Sequence, residues 1–318
     1  MRRLSARAAT VGLLAVLAAG CVSSSAPRVT GSAGPGHVSI PSHVRVRLGD
    51  RVQSVPLETY VLGAALSEIG PVGETPETVR RVFEVQAILA RTYATVHRNR
   101  HAAEGFDLCD TTHCQVYQPG RVQTSRFADA ARRAVAATRA RVLVFAGRPI
   151  QALFHADCGG HLAPADAVWG GDPIAYLPGG PDDVPDGTHR AWQFAVPGDA
   201  LLQALRTDAR SDTGSRLDAI HIEARDASGR AETVRLEGDR TRILRGEHFR
   251  AIVNLTFGPG AILSTRFDVA RTGPGYAFEG TGYGHGVGLC QVGAMARARR
   301  GDGVGEILAA YYPGARVE

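Results

Sequence analysis

VRVRLGDRVQSVPLETYVLGAALSEIGPVGETPETVRRVFEVQAILARTYATV, residues 44–96, carries both periods of regular secondary structure in one run. From Val44 to Val55 apolar and polar residues alternate, the period of two expected of strands with unlike faces. Pro56 opens a helical pattern through Tyr60, Val61, Ala64, Ala65 and Ile69, and Gly70-Pro71 closes it, because neither residue propagates a helix. Thr75-Pro76 then supplies a capping hydroxyl and a first-turn proline for a second helix. Its stripe of Val79, Val82, Phe83, Gln86, Leu89, Ala90, Tyr93 and Val96 keeps a 3.6 period. Strands that precede a run of helices, without βαβ alternation, predict an α+β fold and not a doubly wound sheet.

The pattern continues with a helix around Phe127 to Ala137. Two β-rich runs follow, Arg141 to Ala146 and Ile150 to His155, read as a hairpin about Gly147-Arg148. A β-rich part is expected over about residues 182–270. A glycine-dense stretch from Gly280 to Gly293 then leads into a helical pattern reaching Tyr312. No internal repeat is present.

All 36 basic residues are arginine; lysine is absent. That excludes a P-loop, which needs a lysine on its phosphates, and Schiff-base chemistry, which needs an amine. Carboxylates, histidines, cysteines and tyrosines are left to do the chemistry. Arg2, Arg3 and Arg7 precede an apolar stretch from Ala8 to Gly20, too short to span a bilayer and suited to a signal peptide over residues 1–20. It runs into Cys21, as in a bacterial lipobox, although Ala18 stands where leucine is usual. A lipidated Cys21 would tether the mature chain to a membrane through a flexible Ser/Gly/Pro-rich segment, residues 21–37. Losing three arginines and no acid takes the net charge from +5 to +2, so no nucleic-acid partner is expected.

Several blocks, in order, resemble the SpoIID/LytB domain family over residues 38–318. They are Val55 to Gly63 with Ser67-Glu68, Gln86 to Ala94, Cys114 to Tyr117, and Phe154 to His161 with Trp169-Gly170. Gly282 to Ala294 and Tyr311 to Gly314 complete the set. The resemblance implies a β-rich domain with a few helices packed around a substrate cleft. It also implies an exported protein that acts on peptidoglycan, with its membrane anchor facing the cell wall or periplasm. Members of the SpoIID type are lytic transglycosylases, whereas LytB-type members modify a separate amidase. A lytic transglycosylase needs one carboxyl, because the sugar's own 6-hydroxyl is the nucleophile. Glu68 stands at the family's catalytic position, and its apolar flanks and the helix-end carbonyls would raise its pKa. Glu58, just inside the helix start, is expected to have structural duty. Arg91, Tyr93, Gln115, Tyr117, His155, His285 and Gln291 are the implied substrate-binding residues, with a plain core position the alternative for Tyr93. The other function open to such a chain is a non-catalytic wall-binding protein that recruits or stimulates an amidase. A zinc amidase lacks a histidine/carboxylate set with an open position.

Four cysteines follow Cys21, an even number that favours disulfides in an exported protein. Cys109–Cys114 closes a local loop. Cys158 and Cys290 lie in the two glycine-rich family blocks and form the other expected pair. His101, Cys109, His113 and Cys114 also have the residue types of a structural zinc site, with the disulfide preferred because the compartment is oxidising. No cofactor is required for the chemistry.

Overall fold

The computed structural model describes residues 39–185 and 188–318. The expected signal peptide, lipidation site at Cys21 and tether lie outside the described residues. The alternating run forms a hairpin of β1 (His43–Leu48) and β2 (Arg51–Pro56), in antiparallel register from His43 opposite Pro56 to Leu48 opposite Arg51. A two-residue strand, β3 (Leu108–Cys109), adds in parallel to β1 beside Val46 and Arg47. This small sheet leads straight into two helices, α1 (Leu57–Glu68) and α2 (Pro76–Val96).

The ends of α2 follow the expected logic. Thr75 Oγ1 accepts from Thr78 N at 3.2 Å, Pro76 fills the first turn, and Glu77 there suits the helix dipole. Phe83, Ile88 and Leu89 are fully buried on it, each contributing roughly 1.5–3 kcal/mol of transfer free energy. α1 differs from the one-faced helix its stripe implies. Leu57, Tyr60, Val61 and the run Gly63 to Leu66 are all buried, so the helix is enclosed on most sides. Its small residues allow this: α2 and the helix Ala128–Ala137 pack close against it.

The Gly147 hairpin is shorter than the sequence implies. Leu143–Phe145 pairs with Arg148–Pro149 across Ala146-Gly147, both at positive φ. Ile150 to His155 is not one strand: Phe154–His155 leaves the hairpin and pairs in parallel with Leu289–Cys290. The last residues, Arg316–Val317, take the other edge of Leu143–Phe145. The C-terminal helical pattern is two helices, Gln291–Arg300 and Val304–Tyr311, separated at Gly301, which holds φ 106°.

The β-rich part forms a second body with its own core. One sheet orders Leu217–Arg225, Ala231–Gly238 and Arg242–Arg245; the other orders Phe267–Thr272, Gly275–Thr281 and Ala191–Pro197. Two helices, Gly198–Leu205 and Gly246–Phe257, cover them, so this part is β-rich without being all β. Phe249, Phe267 and Phe278 pack there with ring centroids 5.5–6.0 Å apart. The chain leaves the first body after Asp182 and returns through Tyr283, which pairs back with Asp157. The fold is α+β. No helix among the described residues is long and apolar enough to cross a membrane.

Candidate functional site

Glu68 is the last residue of α1, and the segment after Cys114 lies across that end. Val116 N donates to Glu68 Oε1 at 2.6 Å, and Gln118 N donates to Ser67 Oγ at 3.0 Å. Ser67 Oγ in turn donates to Gly63 O at 2.7 Å, while Arg121 Nε donates to Leu66 O at 3.3 Å. Two elements distant in sequence thus fix one carboxylate oxygen. Burial pushes the Glu68 carboxyl up from 4.5 to about 7, against the Val116 N–H, which favours the anion. Such a group is populated in both protonation states near neutral pH, as a carboxyl that donates and then accepts a proton requires.

Gln115 and Tyr117, on either side of Val116, point into the core. Gln115 is 1% exposed and its Oε1 accepts from Tyr60 Oη at 3.1 Å; Tyr117 packs on Tyr60 at a tilt of 34°, with centroids 4.9 Å apart. They brace the loop that holds Glu68. Gly63 is required for this: a Cβ there would lie 2.4 Å from the Tyr117 ring. Gly63→Ala is therefore expected to cost about 1–3 kcal/mol, read as a lower urea midpoint.

Arg91 and Tyr93 are likewise internal. Arg91 is fully buried and its Nη2 and Nε donate to Glu58 at 2.7 and 2.9 Å; Nη1 donates to Arg141 O at 3.1 Å. The guanidinium ties the start of α1 to α2 and to the chain before the Leu143 strand, a bidentate pair of the kind arginine alone makes. Glu58 has the structural duty its position implies. Glu58→Ala would leave a buried cation unpaired and is expected to lower stability by about 3 kcal/mol, measured by chemical denaturation. Tyr93 stacks on His97 with centroids 3.9 Å apart and is 4% exposed, the core position its stripe allows.

His101, Cys109, His113 and Cys114 converge. One ligand atom from each lies within 4.8 Å of all the others. His101 Nε2 is 3.4 Å from Cys114 Sγ, and His113 Nδ1 is 3.7 Å from Cys109 Sγ and 3.8 Å from Cys114 Sγ. His101 Nδ1 is 2.7 Å from Glu104 Oε1, which fixes the ring and directs Nε2 at the thiols. Cys109 and Cys114 are free in this structure, as are Cys158 and Cys290, so neither expected disulfide is formed here.

The two family-block histidines meet each other, with centroids 5.4 Å apart, and His285 lies 5.1 Å from Trp169. His155 Nδ1 hydrogen-bonds Val287 O at 3.1 Å, and Val287 N donates to His285 Nδ1 at 3.0 Å. Burial lowers the pKa of both; His285 falls to about 3, helped by Arg250 and Arg230. Both rings are neutral at neutral pH. Gln291 begins the helix Gln291–Arg300 and donates to Gln86 Oε1 at 3.2 Å, joining it to α2. Glu68's hydrogen bond thus goes to the Val116 loop, whereas His155 and His285 bond the Val287 segment and His285 also bonds the Phe154 backbone.

One participant left no signal in the sequence. Arg230, a lone arginine between strands of the β-rich part, is 1% exposed and donates to Cys158 O at 2.8 Å. Gly286 makes room for it: a Cβ there would lie within 2.6 Å of Nη2.

Residues 49–145 match the SpoIID family model, described as a stage II sporulation protein, and residues 182–288 match a domain of unknown function, DUF8618. The chain is 29% identical over 280 residues to stage II sporulation protein D of Bacillus amyloliquefaciens, covering 84% of this chain and 75% of that protein. It is also 29% identical over 267 residues to an uncharacterized protein of Brachyspira hyodysenteriae, 84% of this chain and 67% of the other. An amidase enhancer of Bacillus subtilis is 25% identical over 273 residues, 73% of this chain and 37% of that protein. The motif order and these likenesses agree: residues 49–145 form a SpoIID-family domain, and the chain is similar to stage II sporulation protein D over most of its length.

Proposed function

We propose that this protein is a peptidoglycan lytic transglycosylase that cleaves glycan strands between N-acetylmuramic acid and N-acetylglucosamine, with Glu68 as general acid and base. The family supports a cell-wall role. The single observation that carries the reaction is a carboxyl held near pKa 7 with one oxygen pinned by Val116 N. Protonated Glu68 gives its proton to the bridging oxygen as the bond from the muramic acid C1 breaks. The resulting carboxylate takes the proton of the same sugar's 6-hydroxyl, whose oxygen closes on C1. The product is a 1,6-anhydro end, no water is consumed, and Glu68 is again protonated. A second carboxylate is unnecessary, since the nucleophile belongs to the substrate. Strands stripped of stem peptides are the proposed substrate. Digestion of purified stripped strands, with mass spectrometry of the ends, tests the reading.

His101, Cys109, His113 and Cys114 are proposed to hold a structural zinc ion. A tetrahedral site with sulfur at about 2.3 Å and nitrogen at about 2.0 Å needs ligand atoms roughly 3.3–3.8 Å apart. The distances of 3.4, 3.7 and 3.8 Å fit that set. Bound there, zinc would cross-link the loop; the loop's own backbone then keeps Val116 N on Glu68. Export and lipidation at Cys21 would place the domain against the wall.

The likeness to an amidase enhancer favours one other reading, a wall-binding protein that stimulates an amidase. It predicts no anhydro-ended product from glycan strands alone.

A further inference from the structure

A second group of sulfur, imidazole and carboxylate shares no residue with Glu68 or its loop. Ligand atoms of Asp157, Cys158, His189 and Cys290 all fall within 4.8 Å of one another. They come from three places in the chain: the turn after Phe154–His155, the segment through which the chain enters the second body, and the segment after it leaves. Both thiols are fully buried.

Three features distinguish this cluster from a chance meeting of polar groups. Backbone amides solvate both sulfurs: Cys158 N and Gly293 N donate to Cys290 Sγ at 3.2 and 3.3 Å, and Gly160 N donates to Cys158 Sγ at 3.3 Å. These amides would remain as donors to the two sulfurs once a metal had displaced their protons. Asp157 has its carboxylate fully engaged, accepting from Gly159 N at 2.8 Å and Arg190 N at 2.7 Å and meeting His189 Nδ1 at 2.6 Å. That is the carboxylate–histidine arrangement which sets the tautomer of a metal-binding ring. With Nδ1 as the donor to Asp157, His189 Nε2 carries a lone pair, and this buried atom has no hydrogen-bond partner. It lies 3.9 Å from where a Cβ on Gly160 would sit, and Gly160 holds the turn beside it at φ +97°.

We propose that Cys158, Cys290 and His189, with Asp157 fixing the ring, form a second zinc-binding site. The softness of two thiolates and one imidazole selects zinc over the oxygen-seeking cations. On loading, each thiol releases its proton to solvent and the sulfur lone pair goes to the ion, with no change of oxidation state. Asp182, its side chain fully buried and held by Tyr311 Oη at 3.0 and 3.1 Å, lies 3.4 Å from Cys158 Sγ and would relay that thiol's proton towards solvent. The site would staple both crossings between the two bodies to the first one. A Cys158–Cys290 disulfide would use the same sulfurs but leave the buried His189 Nε2 unsatisfied.

The experiment is metal analysis of the full chain purified without added chelator. Cys158→Ser and Cys290→Ser are each expected to lose one zinc equivalent relative to the unaltered protein. Cys109→Ser serves as the separate arm for the loop site, so failure of one site leaves the other readable. Because Cys158 is fully buried and its replacement strains the fold, the unaltered protein is also titrated with a mercurial in the presence of a zinc indicator. Zinc released in step with two thiols that peptide mapping assigns to Cys158 and Cys290 supports the site. Full zinc retention in Cys158→Ser overturns it, as does a Cys158–Cys290 disulfide in the protein as isolated.

Discussion

Glu68→Gln is expected to lower turnover of glycan strands by about 10²–10⁴-fold, the usual contribution of a positioned acid and base. The amide keeps the shape, and its oxygen still accepts from Val116 N, so the loop should stay in place. Binding of strands should change little, which puts the loss in kcat. The same substitution has a stability signature of opposite sense. The folded carboxyl titrates near 7 and the unfolded one near 4.5, so the fold binds the proton more tightly than the unfolded chain does. That contribution is fully present below about pH 4.5 and is lost as pH rises through 7. At pH 8 the buried anion costs roughly 2 kcal/mol, allowing for its partial exposure. Glu68→Gln should therefore melt higher than the unaltered protein at pH 8 and show no such gain at pH 4. Activity of the unaltered protein should fall above about pH 7, as the acid form of Glu68 disappears.

Removing the zinc proposed for the loop is the second large effect expected. Ligand binding to a site absent from the unfolded chain is folding free energy, and structural zinc sites supply several kcal/mol or more. A strong chelator, or Cys114→Ser, should release the loop from His101 to Gln118 and withdraw Val116 N from Glu68. Turnover should drop by about 10–100-fold, and the melting temperature should fall with it. Adding zinc back should restore the chelated protein and leave Cys114→Ser unrestored. Chelator-insensitive melting, with Cys109 and Cys114 recovered as a disulfide, would replace zinc by the covalent staple.

These effects rest on a fold whose helical half was legible in the sequence. Pro56, Gly70-Pro71 and Thr75-Pro76 mark helix ends by local chemistry: α1 lies between the first two, and α2 begins at the third. The enclosure of α1 was not legible, because burial on its outer side depends on α2 and the helix Ala128–Ala137. Non-local pairing was equally hidden. Ile150 to His155 has the composition of a single strand, yet Phe154–His155 pairs with Leu289–Cys290, which leaves no local trace. Arg91 shows the limit for individual residues. A helical arginine has no mark distinguishing a ligand-binding guanidinium from one buried on Glu58, 33 positions earlier. The spacing of His101, Cys109, His113 and Cys114 was ambiguous for a similar reason. The short turn Ala102–Glu104 and the 3.4 Å approach of His101 to Cys114 appear only once β3 is laid against β1.

The most direct measurement is a digest of purified, peptide-stripped glycan strands, run in parallel with the unaltered protein and with folded Glu68→Gln. Mass spectrometry of the new ends should show 1,6-anhydro muramic acid from the first and almost none from the second. Anhydro ends produced equally by Glu68→Gln would contradict the assignment of that residue. Hydrolytic ends, or intact strands from the unaltered protein, would contradict the transglycosylase itself.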